Sequence, residues 1–302
     1  MSKSLLITGG TGFIGSQLCP LLLSRGYTLT VLSRQSPGKV REQLGDVAVI
    51  NDLSSLSGGD GFWGIINLAG AGIAEKRWSK ARKQTLLESR IGLTRNLVKV
   101  AATWKYTPEV CVSGSAVGFY GDQGSKEVTE DTSPNDEFTH QMCRDWEAAA
   151  EPLAERGVRL CLSRTGLVIG KNGGFLSRML LPFRLGLGGR IGSGEQYMPW
   201  IHMHDMVNGL IWLLETDQAR GPYNLVSPAP KTNAEFTRTL ADTLNRPALF
   251  PVPAFALKLA LGEMAGLLLT GQKAVPARLA QQGFEFEYKD LHPALEQAVR
   301  DF

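Results

Sequence analysis

The chain has 302 residues, 43% of them hydrophobic, enough for one large core or two unequal lobes. Its formal net charge of +3 comes from scattered basic residues, which excludes a nucleic-acid-binding stripe and a membrane-attracting one. Cys19, Cys111, Cys143 and Cys161 show no CxxC spacing and read as reduced thiols. Met1 to Ser4 lead straight into a strand-like run, so no export signal is expected and the expected setting is cytoplasmic.

Strand-like runs lie at 5–8, 28–33, 47–51, 64–69, 109–114 and 159–166, and they are nearly continuous in apolar residues. Such runs suit a parallel sheet buried on both faces. Helical patterns intervene at 13–24, 79–104 and 141–157. Strand–helix alternation of this kind predicts an α/β, doubly wound Rossmann sheet. After Gly170 the sequence turns rich in glycine and arginine, and 171–198 reads as a loop-rich insertion. A helix at 204–215 and a strand at 222–227 return to the sheet pattern, and short helices follow from Pro228. The expected division is a dinucleotide domain of residues 1–170 plus 199–227, with a smaller, mostly helical lobe of 171–198 plus 228–302. The longest apolar run, 254–269, holds Lys258 and Glu263, is too short to span a bilayer, and reads as a buried or half-buried helix.

The stretch LLITGGTGFIG at 5–15 carries the chemistry. Gly10, Gly12 and Gly15 fit GxGxxG, and Gly9, Gly12 and Gly15 fit a tighter variant. An early glycine permits the turn out of the strand, Gly12 lets a pyrophosphate approach the backbone, and Gly15 lets the helix pack close. Free amides around Phe13 and Ile14, at the positive end of that helix, would meet the phosphates. The second strand ends in Ser33 and Arg34, with no carboxylate for ribose hydroxyls. A guanidinium can clamp a 2′-phosphate, so NADP(H) is expected in place of NAD(H), unless Arg34 is only a solvated loop residue.

TGGTGFIG (8–15), NLAG (67–70), VSGSAVGFYG (112–121), LSRTGLVIG (162–170), PWIHMHD (199–205) and GPYNLVS (221–227) together resemble the extended short-chain dehydrogenase/reductases. KRWSKARKQTLLESRI (76–91), the stretch 179–202 and the C-terminal lobe further resemble an atypical branch, the epimerase-family proteins of the YfcH type. The resemblance implies that Asp52 and Leu53 border the adenine and that Leu68, Ala69 and Gly70 lie under the dinucleotide. It places Ser113 at the tip of the fifth strand and sets Thr165, Leu167 and Val168 beside the nicotinamide. Extended members often dimerise through two helices, so a homodimer is an implied partner.

The family's usual acid is a tyrosine four residues before a lysine, and Ser115 matches its partner serine. Counting back from Glu147 puts Cys143 at the lysine position and Thr139 at the tyrosine position. Neither residue does that work. Arg90, where the family carries asparagine, could supply the missing cation; alternatively it is an exposed arginine pairing with Glu88 or Asp145. Tyr120 could donate a proton or be a half-buried aromatic. Cys143 could be a nucleophile only beside a base, and a buried thiol is the plainer reading. His202 and His204 lack a third metal ligand, so no metal is expected, and Asp205 would cap the following helix. Arg184, Arg190 and Gln196 would face an anionic substrate, while Trp78 and Trp200 would wall its pocket. The resulting expectation is an NADP(H)-dependent oxidoreductase or epimerase acting on a small polar substrate through Ser115, Tyr120 and Arg90. The competing expectation is a non-catalytic NADPH-binding sensor or partner-binding protein.

Overall fold

Every side chain of Leu5, Leu6 and Ile7 is buried, and their alternation sends them to opposite faces of one sheet. Leu5 and Ile7 join a cluster with Leu18, Leu22, Leu210 and Leu214, while Leu6 joins one with Ile65, Leu97 and Leu153. Both faces are therefore covered by helices, as an all-parallel sheet requires. The computed structural model describes residues 3–171 and 173–300.

Seven strands form the sheet: β1 (Ser4–Thr8), β2 (Thr28–Leu32), β3 (Ala48–Ile50), β4 (Gly64–Asn67), β5 (Val110–Ala116), β6 (Arg159–Thr165) and β7 (Gly221–Leu225). Their order across the sheet is β3-β2-β1-β4-β5-β6-β7, every pair parallel. The order reverses between β1 and β4, which opens a crevice at their carboxyl ends. Helix α1 (Gly15–Ser24) follows β1, and α2 (Pro37–Leu44) follows β2. After β4, α3 (Lys80–Leu87) runs through a π-helical turn, Glu88–Gly92, into α4 (Leu93–Ala101). Helix α5 (Phe138–Glu155) packs between β5 and β6 on the α4 side.

The segment 171–198 is more structured than its glycine content predicts. It contains α6 (Leu176–Arg184), and Tyr197–Met198 pairs antiparallel with Lys231–Thr232. Leu167–Ile169 pairs parallel with Trp200–His202 on its way there. Helix α7 (Met203–Glu215) returns the chain to β7, and α8 (Asn233–Leu244) opens the C-terminal part with a full capping box on Thr232 and Glu235. Leu176, Leu180, Phe183, Trp200, Phe236 and Leu295 form a core of their own there. The run 254–269 departs from its expectation. It breaks at Gly262 (φ +61°) into α9 (Ala254–Leu261), a 3₁₀ turn and a short helix, Gly266–Leu269. No residue of α9 is buried. Among the described residues, no helix is long and apolar enough to cross a membrane.

Candidate functional site

The glycine turn divides its labour as the spacing predicts. Gly9 has φ +74°, and a Cβ there would sit 2.7 Å from the Leu68 carbonyl carbon. A Cβ on Gly15 would collide with the Gly9 and Gly10 backbone, so α1 can start only where it does if this residue is glycine. Gly12 is open except toward the Gly9 carbonyl oxygen, to which its own N–H donates at 3.0 Å. Helix α1 has no side-chain cap and no acid in its first turn. Among the described residues, the amides of Phe13 and Ile14 find no acceptor. The positive end of α1 thus faces the crevice unneutralised. The Phe13 ring packs under the glycines of the next loop, about Gly170 and Gly174.

At the end of β2, Asn51 holds the corner: its Nδ2 donates to the Ser33 carbonyl at 2.7 Å and the Gln35 carbonyl at 3.3 Å. The Ser33 hydroxyl accepts from the Gln35 amide. Arg34 is exposed and, among the described residues, has no ion-pair or hydrogen-bond partner. Asp52 caps the turn Leu53–Leu56 by accepting from the Ser54 amide, which holds its carboxyl below the usual range, and Leu53 is buried beneath. Asn51 escaped the sequence reading; its signal was an amide side chain directly after the β3 pattern, beside the β2 end.

Below the crevice lies a buried polar network that the sequence also hid. Thr8 Oγ1 donates to Asn67 Oδ1 at 2.7 Å and accepts from the Ala69 amide, while Leu68 donates to the Thr8 carbonyl. Asn67 Nδ2 donates to Thr94 and to Ser113, and the Trp146 indole donates to Thr94. Ser113 is therefore not at the strand tip. It sits in mid-β5, opposite Asn67, under the floor made by Leu68, Ala69 and Gly70.

Arg90 reaches this floor from the π turn. A Cβ on Gly70 would lie 2.9 Å from its Cζ, and the guanidinium stands 5.3 Å from the Trp146 ring. Among the described residues, its hydrogen bond runs to the Leu86 carbonyl. Burial lowers its pKa, with the neighbouring Arg82 acting in the same direction, against Cys143 and Glu75. The alternative pairing with Glu88 or Asp145 is not made: Asp145 binds Arg144, Glu88 folds over Gly92, and no carboxylate among the described residues ion-pairs with Arg90. Arg90 is half-buried, so its guanidinium keeps a solvent-facing side on which an anionic ligand could pair with it.

The β5–β6 side is the reverse case. Ser115 Oγ donates to Glu147 Oε1 at 2.5 Å. Glu147 takes two parallel bonds from Arg164, both 2.9 Å, and Arg164 donates on to the Tyr120 hydroxyl at 3.0 Å. Tyr120 donates to Asn224 at 2.7 Å, and the Asn224 backbone amide donates to Glu130 Oε1 at 3.0 Å. Tyr120 is therefore corrected from proton donor to buried strut. Its side chain is wholly buried, its proton is committed, and burial pushes its pKa up to about 12 despite Arg164. Cys143 is a buried thiol raised to about 12, chiefly by burial, and Arg90 is among the charges acting on it. Thr139 sits over Gly118 at the start of α5. Thr165 bonds to Ser163, Leu167 donates to the Pro199 carbonyl, and Val168 is buried just beyond the sheet edge.

Other expectations resolve locally. His202, not Asp205, caps α7, accepting from the His204 amide and meeting Gln297 through Nε2. Asp205 instead accepts from the amides of Glu287 and Tyr288, tying the C-terminal segment down. Trp200 is a core residue, whereas Trp78 is half-buried against Phe138. Arg190 and Gln196 bond to backbone carbonyls, Arg190 within its own loop and Gln196 also at Leu268. Among the described residues no cluster could hold a metal.

A family profile described as NAD dependent epimerase/dehydratase matches residues 5–226. The chain belongs to this family. A second profile, a domain of unknown function (DUF1731), matches 252–298 of this epimerase/dehydratase. Epimerase family protein SDR39U1 of Mus musculus is 39% identical, covering 97% of this chain and 99% of its own length, and Epimerase family protein ML0860 of Mycobacterium leprae is 38% identical over 97% and 94%. A crystal structure of human SDR39U1, isoform 2, solved with NADPH, superposes with TM-score 0.91 at 35% identity, covering 99% of this chain and 100% of that one. The matched residues of this epimerase/dehydratase family member include the glycine turn, the floor of Leu68, Ala69 and Gly70, and the strand end at Ser33 and Arg34.

Proposed function

We propose that the protein binds NADPH along the carboxyl edge of β1 and β4 and uses it for hydride exchange with a small polar substrate. The carrying observation is that α1 starts uncapped beside the floor of Leu68, Ala69 and Gly70 that Arg90 touches, while Arg34, at the end of β2, and Arg90 ion-pair with no carboxylate among the described residues. The human relative solved with NADPH supports the choice of coenzyme. Bound NADPH supplies a transferable hydride. The α1 amides and the open side of Gly12 hold the diphosphate, and Arg34 takes the 2′-phosphate on a corner fixed by Asn51. Asp52 and Leu53 border the adenine, Leu68 to Gly70 form the floor over Ser113, and Thr165, Leu167 and Val168 flank the nicotinamide. Arg90 supplies the fixed positive charge that Cys143 lacks. Ser115, its proton turned to Glu147, keeps an oxygen lone pair for a substrate hydroxyl.

A second reading, coenzyme binding without turnover, is favoured by the committed hydroxyl of Tyr120 and the raised thiol of Cys143. Calorimetry with NADPH and NADH, followed by NADPH fluorescence with aldehydes, ketones and nucleotide sugars, separates the two. Binding with oxidation of NADPH by one class supports the enzyme, and tight binding without consumption supports the sensor. No heat with NADPH at micromolar protein removes both.

A further inference from the structure

The fold gathers apolar side chains that the sequence scatters. Leu181 on α6 and Leu185 just past its end are 67% and 64% exposed. The chain then runs beside 246–252. Arg246 donates to the Arg184 carbonyl, Phe250 to that of Gly188 and Val252 to that of Arg190. This pairing sets Leu187 next to Leu249 and Phe250, each more than half exposed. Two residues later α9 starts, and on it Phe255 and Leu259, one turn apart, are 75% and 80% exposed. A groove of about 720 Å³ lies between α9 and the insertion, lined in part by Gly192, Gln196, Lys258 and Leu269. Ala254, Ala256, Leu257 and Leu261 are half-buried, while Phe255 and Leu259 stand outward, and none of the helix's residues is buried.

Charge identifies the occupant. The segments 176–195 and 242–263 contain Arg178, Arg184, Arg190, Arg246 and Lys258 against Glu195, Asp242 and Glu263, the last beside Lys258 in the groove and paired with Lys83, so the face is net positive. Two copies of such a face would repel, whereas an anionic surface would attract it. The side-chain types decide between a protein and a lipid. Protein hot spots favour Trp, Tyr and Arg anchors and use leucine sparingly. Here the protruding groups are leucines and phenylalanines among cations, the pattern of interfacial segments that seat in a headgroup layer. We infer that this face of the C-terminal lobe docks on an anionic phospholipid bilayer, with Phe255 and Leu259 entering the acyl boundary and Lys258 among the headgroups. The scattered cations of the sequence become a membrane-attracting face only after folding.

The test is co-sedimentation of the full-length protein with phosphatidylcholine vesicles, with and without phosphatidylglycerol, alongside light scattering of the free protein. The expected result is binding only to the phosphatidylglycerol vesicles, weakened by salt. Phe255→Asp with Leu259→Asp lowers partitioning on the order of a hundredfold, and Lys258→Gln lowers it about fivefold. These exposed positions leave NADPH affinity unchanged, which certifies the fold of each variant. Three results overturn the inference. The first is no sedimentation with phosphatidylglycerol vesicles at low salt, which would leave an acidic protein partner. The second is equal binding to both vesicle types or by the double variant. The third is a dimer in solution that the double variant splits, which would make the face a contact between copies.

Discussion

Two polar regions meet at the crevice, and they are built on opposite principles. On the β5–β6 side, Ser115, Glu147, Arg164, Tyr120, Asn224 and Glu130 satisfy one another in an unbroken buried chain. On the β1–β4 side, the first α1 amides, Arg34 and Arg90 are left over. Buried polar groups in folded proteins are nearly always paired, so the completed buried set is framework, whereas the exposed Arg34, the half-buried Arg90 and the free amides are groups open to a ligand. The comparison explains why Tyr120, the most tempting residue by motif, belongs to the framework, while Arg90, a residue in a π turn, is proposed for the site. Single-turn π-helical insertions recur at functional positions for this reason: the extra residue turns one side chain out of register with the rest of the helix.

The difference can be broken most severely at Arg164. Arg164→Met leaves Glu147 buried and uncompensated, which costs about 3–5 kcal/mol and is expected to lower the urea midpoint sharply. Adding Glu147→Leu should recover most of that loss, because replacing both partners of a buried pair is often neutral. A double variant as unstable as the single one would mean that the chain is held by something other than this ion pair. In the surviving double variant NADPH affinity is expected to stay within about threefold of the parent protein, since a framework change moves stability before binding.

Arg90→Met should do the opposite. The methionine keeps the apolar stem against Trp146 but removes a charge that no carboxylate neutralises. NADPH affinity is expected to fall at least about tenfold, the loss of one charge-assisted contact, while the urea midpoint holds or rises. Calorimetry and equilibrium denaturation on the same preparation read both quantities. A fall in stability with unchanged affinity would move Arg90 into the framework and erase the distinction.

How much of this was legible in the chain depends on the range of the interactions. The sheet was readable because near-continuous apolar runs and the Gly9–Gly15 spacing report local geometry. The polar corner at Ser33 and Arg34, proposed for the coenzyme, lies where the end of the β2 run put it. Asn51 was not readable, because its role exists only once β3 lies beside β2. Tyr120 was open to misreading because its partners, Asn224 and Arg164, are 104 and 44 residues away in sequence. Asp205 carried the signature of a helix cap, yet its carboxylate is spent on amides more than 80 residues distant. The apolar run at 254–269 read as one buried or half-buried helix, and only the fold shows that it breaks at Gly262 and that Phe255 and Leu259 of α9 face outward.

A gentler probe of the binding side is Arg34→Ala. Arg34 is exposed, so the fold should be indifferent and only coenzyme choice should move. The expected result is a roughly tenfold loss for NADPH with little change for NADH, because the guanidinium meets only the 2′-phosphate. Parallel losses for both coenzymes would place Arg34 on the shared diphosphate instead, and no loss for either would return it to solvent.

The smallest effect lies on the framework side, at His202. Burial depresses its pKa below the ordinary 6.5, with Gln297 and Asp205 opposing. The folded state therefore holds a neutral ring, with Nδ1 accepting from the His204 amide and Nε2–H facing Gln297. The unfolded chain takes up its proton as pH falls through about 6.5 while the folded protein does not. The stabilisation is thus present above that pH and is lost progressively as pH drops toward the folded-state value. His202→Asn keeps a side-chain oxygen to cap α7 but cannot titrate. Urea midpoints of the parent protein should fall faster between pH 7 and pH 5 than those of the variant. Identical slopes would show that the ring is charged or solvated in the fold, and the cap at the head of α7 would then belong with the unsatisfied groups and not with the completed ones.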